Sequence, residues 1–276
     1  DPPGEVMMFN ELDPEHPAVK YLFTRGYDIE KLMIRWNLMY CTYAIRKYSP
    51  ANNRIVIPIY QNKICIGWQC RYVGDLNWKE AGVAKSYTMP GLQKRYVLYN
   101  HDVAFTQPFI VITEGPTSCW STWPFGVALL GKQAAIPQQK LIIQQASEEK
   151  KPIILLLDGD AVYDSIRLYK SLKPHAKGGI CRVVLPQDKD PGDYIANPEE
   201  LWNIVITQAK EEKINLPINT YSDKLSYEEK ADAKAMAAND NTSRITDVSG
   251  HDRRTASRDL LPNVLTLGRR NALIKF

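Results

Sequence analysis

The sequence predicts an α/β protein, with a four-stranded parallel sheet flanked by helices and a smaller α+β region in front of it. Two observations carry this. Four short apolar runs, Phe109–Thr113, Val127–Leu130, Ile153–Leu157 and Ile180–Leu185, alternate with the helical stretches Pro116–Trp123, Pro137–Ser147 and Val162–Leu172. Apolar runs without polar alternation mark strands covered on both faces, as in parallel sheets, and the βαβα order is that of a doubly wound layer. Residues 1–107, by contrast, are rich in aromatic and strand-forming residues.

In that first region His16–Leu22 reads as a short helix ending at Gly26, and Asp28 is placed to cap a second one beginning Ile29-Glu30-Lys31-Leu32. Arg54–Tyr60 and Lys63–Arg71 read as two strands. Only Gln61 and Asn62 separate them, so they form a hairpin. Tyr96–Tyr99 gives a looser strand signal, and Pro198–Glu211 an amphipathic helix that closes the parallel layer. The organisation expected is therefore 1–107, 108–215 and a remainder, 216–276. In the remainder, Lys224–Ala238 suits a solvated helix and Asn239–Ser257 is too polar to offset its ordering entropy, as in a linker or tail. Leu260–Phe276 is apolar again, as in a segment that docks on a partner or on the body.

Composition narrows the class without fixing a function. The chain has 276 residues, 44% hydrophobic and 24% charged, as an ordinary globular protein has. No run of about 18 apolar residues exists, which argues against a membrane span. The opening stretch lacks the basic and apolar regions of a signal peptide and has no initiator Met, as in a fragment or a processed chain. The five cysteines are odd in number and form no C-x-x-C pair, which points to reduced thiols in a cytoplasmic protein. A net charge of +4 permits a nucleic-acid partner without requiring one.

The chemistry is legible at the strand ends. In a parallel sheet, functional residues gather where the strands' carboxyl ends meet the loops. The first strand here ends Thr113-Glu114-Gly115 and the third Leu157-Asp158-Gly159-Asp160; the fourth is followed by Asp188-Lys189-Asp190-Pro191-Gly192-Asp193. Strands lie about 4.8 Å apart, so these acids share a volume roughly 10 Å across. Any one of them alone reads as a helix cap or a solvated charge, Asp160 ahead of Ala161–Leu172 especially. Together they would repel one another strongly unless a hard divalent cation sat between them. Gly159 relieves the backbone in the tight D-G-D turn.

These residues resemble the Toprim domain shared by DnaG-type primases, topoisomerases and certain nucleases, whose motifs are a strand ending in Glu-Gly and a later Asp-x-Asp. Further stretches narrow the resemblance to bacterial and phage primases: Tyr21-Leu22-Phe23-Thr24-Arg25-Gly26, Asn53–Ile59, Gly67–Arg71, Lys94–Tyr99 and Leu185–Pro191. It covers about 16–212. It implies a DNA primase that makes short RNA primers on single-stranded DNA from ribonucleoside triphosphates, using Mg2+ or Mn2+. It also implies a replicative helicase and a separate zinc-binding module as partners, and a bacterial or phage-infected cytoplasm as the setting. The implied catalytic residues are Glu114, Asp158 and Asp160, with Asp190 and Asp193 as further metal ligands. Arg54, Arg71, Lys85, Lys94 and Arg95 would track the template, and Lys132 a nucleotide phosphate. Arg54 and Arg71 stand out because they interrupt apolar strands, where an unpaired charge is costly. Most tryptophans read as core, with Trp78 the exception suited to base stacking.

The chain departs from the family at Ser118 and Gly192, where acids are expected, and at Val162-Tyr163, where a small pair is expected. Ser118 and Gly192 favour one rival, a catalytically weakened replication accessory that only binds nucleic acid; a Toprim nuclease is the other, because metal-bound carboxylates alone suffice for hydrolysis.

Overall fold

The structure, a computed structural model, describes residues 1–74 and 76–245, with side chains through Asn239. The chain forms a compact unit, Asp1–Ala235, and a second unit, Met236–Phe276, described only over 236–245. The first unit opens with strand β1 (Gly4–Met8), helices α1 (Pro17–Thr24) and α2 (Ile29–Trp36), and strands β2 (Met39–Ala44), β3 (Arg54–Gln61), β4 (Ile64–Tyr72) and β5 (Ser86–Thr88). Helix α3 (His101–Ala104) leads into the second half: β6 (Ile110–Thr113), α4 (Pro116–Ser121), β7 (Gly126–Ala128), α5 (Ile136–Glu148), β8 (Ile153–Leu155), α6 (Val162–Leu172), β9 (Ile180–Arg182), α7 (Pro198–Glu211) and α8 (Tyr221–Ile245). The first five strands form an antiparallel sheet in chain order, and the other four a parallel sheet in the order β7-β6-β8-β9.

The parallel sheet is covered on both faces, as its apolar runs require. Ile110, Ile112, Ile153 and Leu155 face α5 and α6 through Ile142, Ala146, Leu168 and Leu172. Phe109, Val111, Ile154 and Leu156 face α7 through Leu201, Trp202 and Val205. Ile55, Ile57 and Ile59 of β3 join a third cluster that includes Trp36, Tyr99, Trp120 and Trp123, so one continuous core links the two sheets. Trp36, Trp68, Trp120, Trp123 and Trp202 are all buried, as expected for most of the tryptophans, and Trp78 is half-buried.

Asp28 caps α2 by accepting from the Lys31 N–H at 3.0 Å. The hairpin turn lies one residue later than expected, at Asn62-Lys63, because both residues adopt positive φ (53° and 63°), the mirror-image turn that matches strand twist. Asp102 holds it, accepting from the N–H groups of Asn62 at 3.0 Å and Lys63 at 2.6 Å. Tyr96–Tyr99 is not a strand: Lys94–Tyr96 forms a 3-10 turn and only Tyr99 makes an isolated bridge, to Ala128.

Helix α8 departs most from expectation, since its first part is not solvated. Lys224 and Glu228 are buried and ion-paired with each other. Glu228 also meets Arg35 at 2.6 Å, and Arg35 meets Asp232 at 2.7 Å. Asp232 in turn accepts from the Trp123 indole at 2.9 Å. Charges that look solvated in sequence thus become a buried lock with α2. Burial alone would raise the Glu228 carboxyl, but Lys224 and Arg35 hold it at about 2. The helix runs on to Ile245, past the expected start of the linker at Asn239. The rest of that linker and the apolar Leu260–Phe276 lie outside the described residues. No helix among the described residues is long and apolar enough to cross a membrane.

Removing one partner from a buried ion cluster strands the others. Glu228→Ala should therefore lower unfolding stability by roughly 3–5 kcal/mol in urea denaturation. A loss below about 1 kcal/mol would mean that α8 is not held by these charges.

Candidate metal centre

Strand pairing sets the site. The β6–β8 register matches Ile112 with Leu155, which puts Glu114 level with Leu157, one residue before Asp158. Glu114, Asp158 and Asp160 each offer a carboxylate oxygen, and these atoms all lie within 4.8 Å of one another. Glu114 is buried and accepts from the Asp158 N–H at 3.3 Å. Asp160 is exposed and is not a helix cap: Ala161 takes that position, and the Asp160 carboxylate pairs with Lys132 at 2.8 Å.

Gly159 has a different role from the one its spacing predicts. Its φ is not in the left-handed region, so no backbone strain needs relief. A Cβ there would instead lie 1.8 Å from the Pro186 carbonyl oxygen. The missing side chain lets the Pro186–Lys189 turn dock, sealed by the Gly159 N–H donating to Lys189 O at 2.8 Å. This docking brings the third acidic loop to the first two. Asp190 acts on Asp158, whose carboxyl is pushed up to about 6 by burial and by that neighbouring charge, with Lys85 opposing. Glu114 is pushed up to about 7 by burial and by Asp158, with Lys132 opposing.

The other expected residues divide. Asp193 caps its own 3-10 turn, accepting from the Asp190 N–H at 2.8 Å. Lys85 and Lys132 both reach the acids electrostatically, and the Lys94 ammonium lies 3.9 Å from the place a Cβ would take at Gly131, beside Lys132. Arg95 is exposed and lies over the Tyr96 ring. Arg54 and Arg71 do not share a groove. Arg54 pairs with Tyr72 and Arg71 with Ile55, and directly paired residues share a face while successive ones alternate, so the two arginines lie on opposite faces. Arg54 is buried, donates to Ala84 O at 2.7 Å and stacks over Tyr72. Arg71 donates to the Tyr21 hydroxyl at 3.1 Å. Ser118 is buried in α4, whereas Tyr163, at the start of α6 beside the acids, is 86% exposed. The broad groove along α7, lined by Glu199, Glu200 and Glu211, is made of none of these residues.

The donor set fits a hard divalent cation. All three groups are carboxylates, and Asp158 Oδ1 is buried with no hydrogen-bond partner among the described groups. An unpaired buried carboxylate oxygen is costly, and a cation satisfies it. Sequence reasoning missed the residue that faces the Asp190 loop from the other half of the core, Tyr27, whose position shows only in the packing.

No protein-family model and no curated protein sequence matches the chain. Solved structures do. The RNA polymerase domain of Mycobacterium tuberculosis primase DnaG aligns with a TM-score of 0.57 at 17% identity, over 71% of this chain and 77% of that one. The E. coli primase catalytic core aligns at 0.57 and 16%, over 71% and 74%. A DnaG primase catalytic domain bound to single-stranded DNA aligns at 0.56 and 16%, over 72% and 75%. The chain therefore has the fold of DnaG-type primase catalytic cores.

Two measurements probe the site. Gly159→Ala should cost stability at the upper end of the roughly 1–3 kcal/mol typical of overpacking, because backbone stands in the way. Gly115→Ala, with open space around it, should stay within about 1 kcal/mol of wild type in the same urea titration. The second measurement uses pH. Glu114 and Asp158 have folded values above their ordinary ones, so the stability they contribute is present at low pH and is lost as pH rises, from 3.8 through about 6 for Asp158 and from 4.5 through about 7 for Glu114. In chelator, Tm should fall by a few degrees across that window, and millimolar Mn2+ should restore it at pH 7.5. A flat profile that Mn2+ leaves unmoved would refute coupled, cation-binding carboxylates.

Proposed function

We propose that this chain is a DNA primase: a divalent-metal-dependent nucleotidyltransferase that makes short RNA primers on a single-stranded DNA template. The observation that carries the reading is the trio Glu114, Asp158 and Asp160, gathered at the ends of adjacent strands in a fold shared with primase catalytic cores. The cations Lys85 and Lys132, which act on the trio, support it, with Lys94 near Gly131 beside Lys132. A site for transferring phosphoryl groups has to receive polyanions as well as metal. A related catalytic domain bound to single-stranded DNA supports the same partner here.

In this reading Asp158 and Asp160, with Asp190, hold the cation, and Mg2+ suits their oxygen-only donor set, with Mn2+ as a substitute. Asp193, occupied as a cap, joins only if that cap opens. A cation held there would supply charge neutralisation at the incoming triphosphate and its transferred phosphoryl group. Lys132 exchanges Asp160 for a nucleotide phosphate. Glu114, buried beside Asp158 at the ends of adjacent strands, takes the 3′-hydroxyl proton. Lys85, Lys94, Arg95 and Arg71 track the template backbone. Buried Arg54 serves the same half by bracing the Ala84–Lys85 segment through its bond to Ala84 O. Residues 1–107 form the template-binding half and 108–215 the catalytic half. The remainder tethers the enzyme to its replication partners, a helicase and a zinc-binding module, in a bacterial or phage-infected cytoplasm.

The test is incorporation of labelled ribonucleotides on single-stranded DNA with Mg2+ or Mn2+. Wild type should extend primers, and Asp158→Ala should lose on the order of 10²–10³-fold in rate. Degradation of the template in the same reaction would favour a nuclease. DNA binding without either activity would favour an accessory that has kept the fold and lost the chemistry, the reading that Ser118 and Gly192 leave open.

A further inference from the structure

Tyr27 is only 5% exposed, and its hydroxyl has no hydrogen-bond partner among the described groups. An orphaned buried hydroxyl destabilises a fold unless it serves something else. Its position is tightly specified. Gly26 at φ +83° ends α1 and lets the Tyr27 N–H bond back to Leu22 O at 3.1 Å. A Cβ at Gly26 would come within 2.9 Å of Ala196, just beyond the acidic loop. The Tyr27 ring packs edge-on against Trp120 with centroids 5.5 Å apart. The hydroxyl thus enters the acidic loop from the other half of the core, where no sequence motif places a site residue.

It arrives where the chain lacks an acid. The point that a Cβ would occupy at Gly192 lies 2.8 Å from Asp190 Oδ1 and 3.5 Å from the Tyr27 hydroxyl oxygen. The two oxygens are therefore no further apart than those distances combined, a gap on the scale of one bridging water. Tyr27 and Asp190 also act on each other electrostatically.

We infer that Tyr27 is a positioning residue of the metal centre, its hydroxyl donating toward Asp190 across one water in the cation-bound state and fixing that carboxylate as a ligand. The inference rests on the metal-centre reading above. Its chemistry is that of an outer partner orienting a ligand, as such partners commonly do. Where a second carboxylate would add charge at position 192, this chain supplies a neutral donor that steadies the carboxylate already present. The same hydroxyl is a burden to the fold when it has nothing to hold.

Those two roles have opposite signs, which makes the test decisive. Tyr27→Phe keeps the ring and deletes only the orphaned hydroxyl. In chelator its Tm should equal or exceed that of wild type. Its Mn2+ affinity, read from the free-ion paramagnetic resonance signal during titration with MnCl2, should weaken by roughly 10–100-fold. Gly192→Ala, which places a methyl group in the gap, should weaken Mn2+ in the same way. Unchanged Mn2+ affinity in Tyr27→Phe would overturn the inference, and so would a fall in its Tm in chelator, since the hydroxyl would then already be partnered. If wild type and Asp158→Asn bound Mn2+ equally weakly, the metal-centre reading itself would fail, an outcome distinct from both.

Discussion

The constraint on which the rest of the site depends is repulsion between carboxylates that the sheet forces together. Pairing of β6 with β8 fixes Glu114 beside Asp158, and neither can retreat, because the residues before them, Thr113 in β6 and Leu157 just past β8, are buried. Burial first, and then the neighbouring charges of Asp158 on Glu114 and of Asp190 on Asp158, favour the protonated forms, so both carboxyls sit well above their ordinary values. The surroundings reduce the repulsion in part. Lys132 pairs with Asp160, Lys85 faces Asp158, and the Asp158 N–H meets Glu114. What is left over, the buried and unpartnered Asp158 Oδ1 above all, is what a divalent cation would take up.

Much of this was legible in the sequence, for identifiable reasons. Strands covered on both faces write themselves as unbroken apolar runs, and acids at the ends of such runs must converge because parallel strands all end on the same edge. Helices α6 and α7 match the expected bounds because apolar periodicity defines both locally and a proline at N1 starts α7. The role of Gly159 was not legible. Its spacing suggested turn geometry, whereas its reason is the Pro186 backbone, 27 positions away in the chain and in contact only after folding. The same holds for Asp193, which has the composition of a ligand and the hydrogen bond of a cap.

Charges were the hardest to read. Arg54 and Arg71 each interrupt an apolar strand, and each looks equally available. Only the pairing register separates them, burying Arg54 against a carbonyl and turning Arg71 toward Tyr21 on the opposite face. Lys224 and Glu228 are four apart on a helix of polar composition, the pattern of a solvated face. Their burial follows from Arg35 and Trp123, which lie far away in sequence and offer α8 a charged, aromatic seat. A charge's role is set by what stands opposite it, and a single sequence does not record that.

The continuity of the core explains why residues far from the acids matter to them. The hydrophobic cluster that holds β3 and α2 also holds Trp120 and Trp123, at the far end of the helix that begins just after Glu114. Side chains packed at crystal-like density transmit displacement rather than absorb it. Tyr27 rests on Trp120 and faces the Asp190 loop, while Trp123 takes part in the ion cluster under α8. The antiparallel half, which carries Arg71 and leads to Lys85, is thereby packed to the same aromatic residues that seat the acidic half. Groups that would hold a template and groups that would hold a metal are fixed relative to each other by one shared core, as a reaction joining two substrates at one point requires.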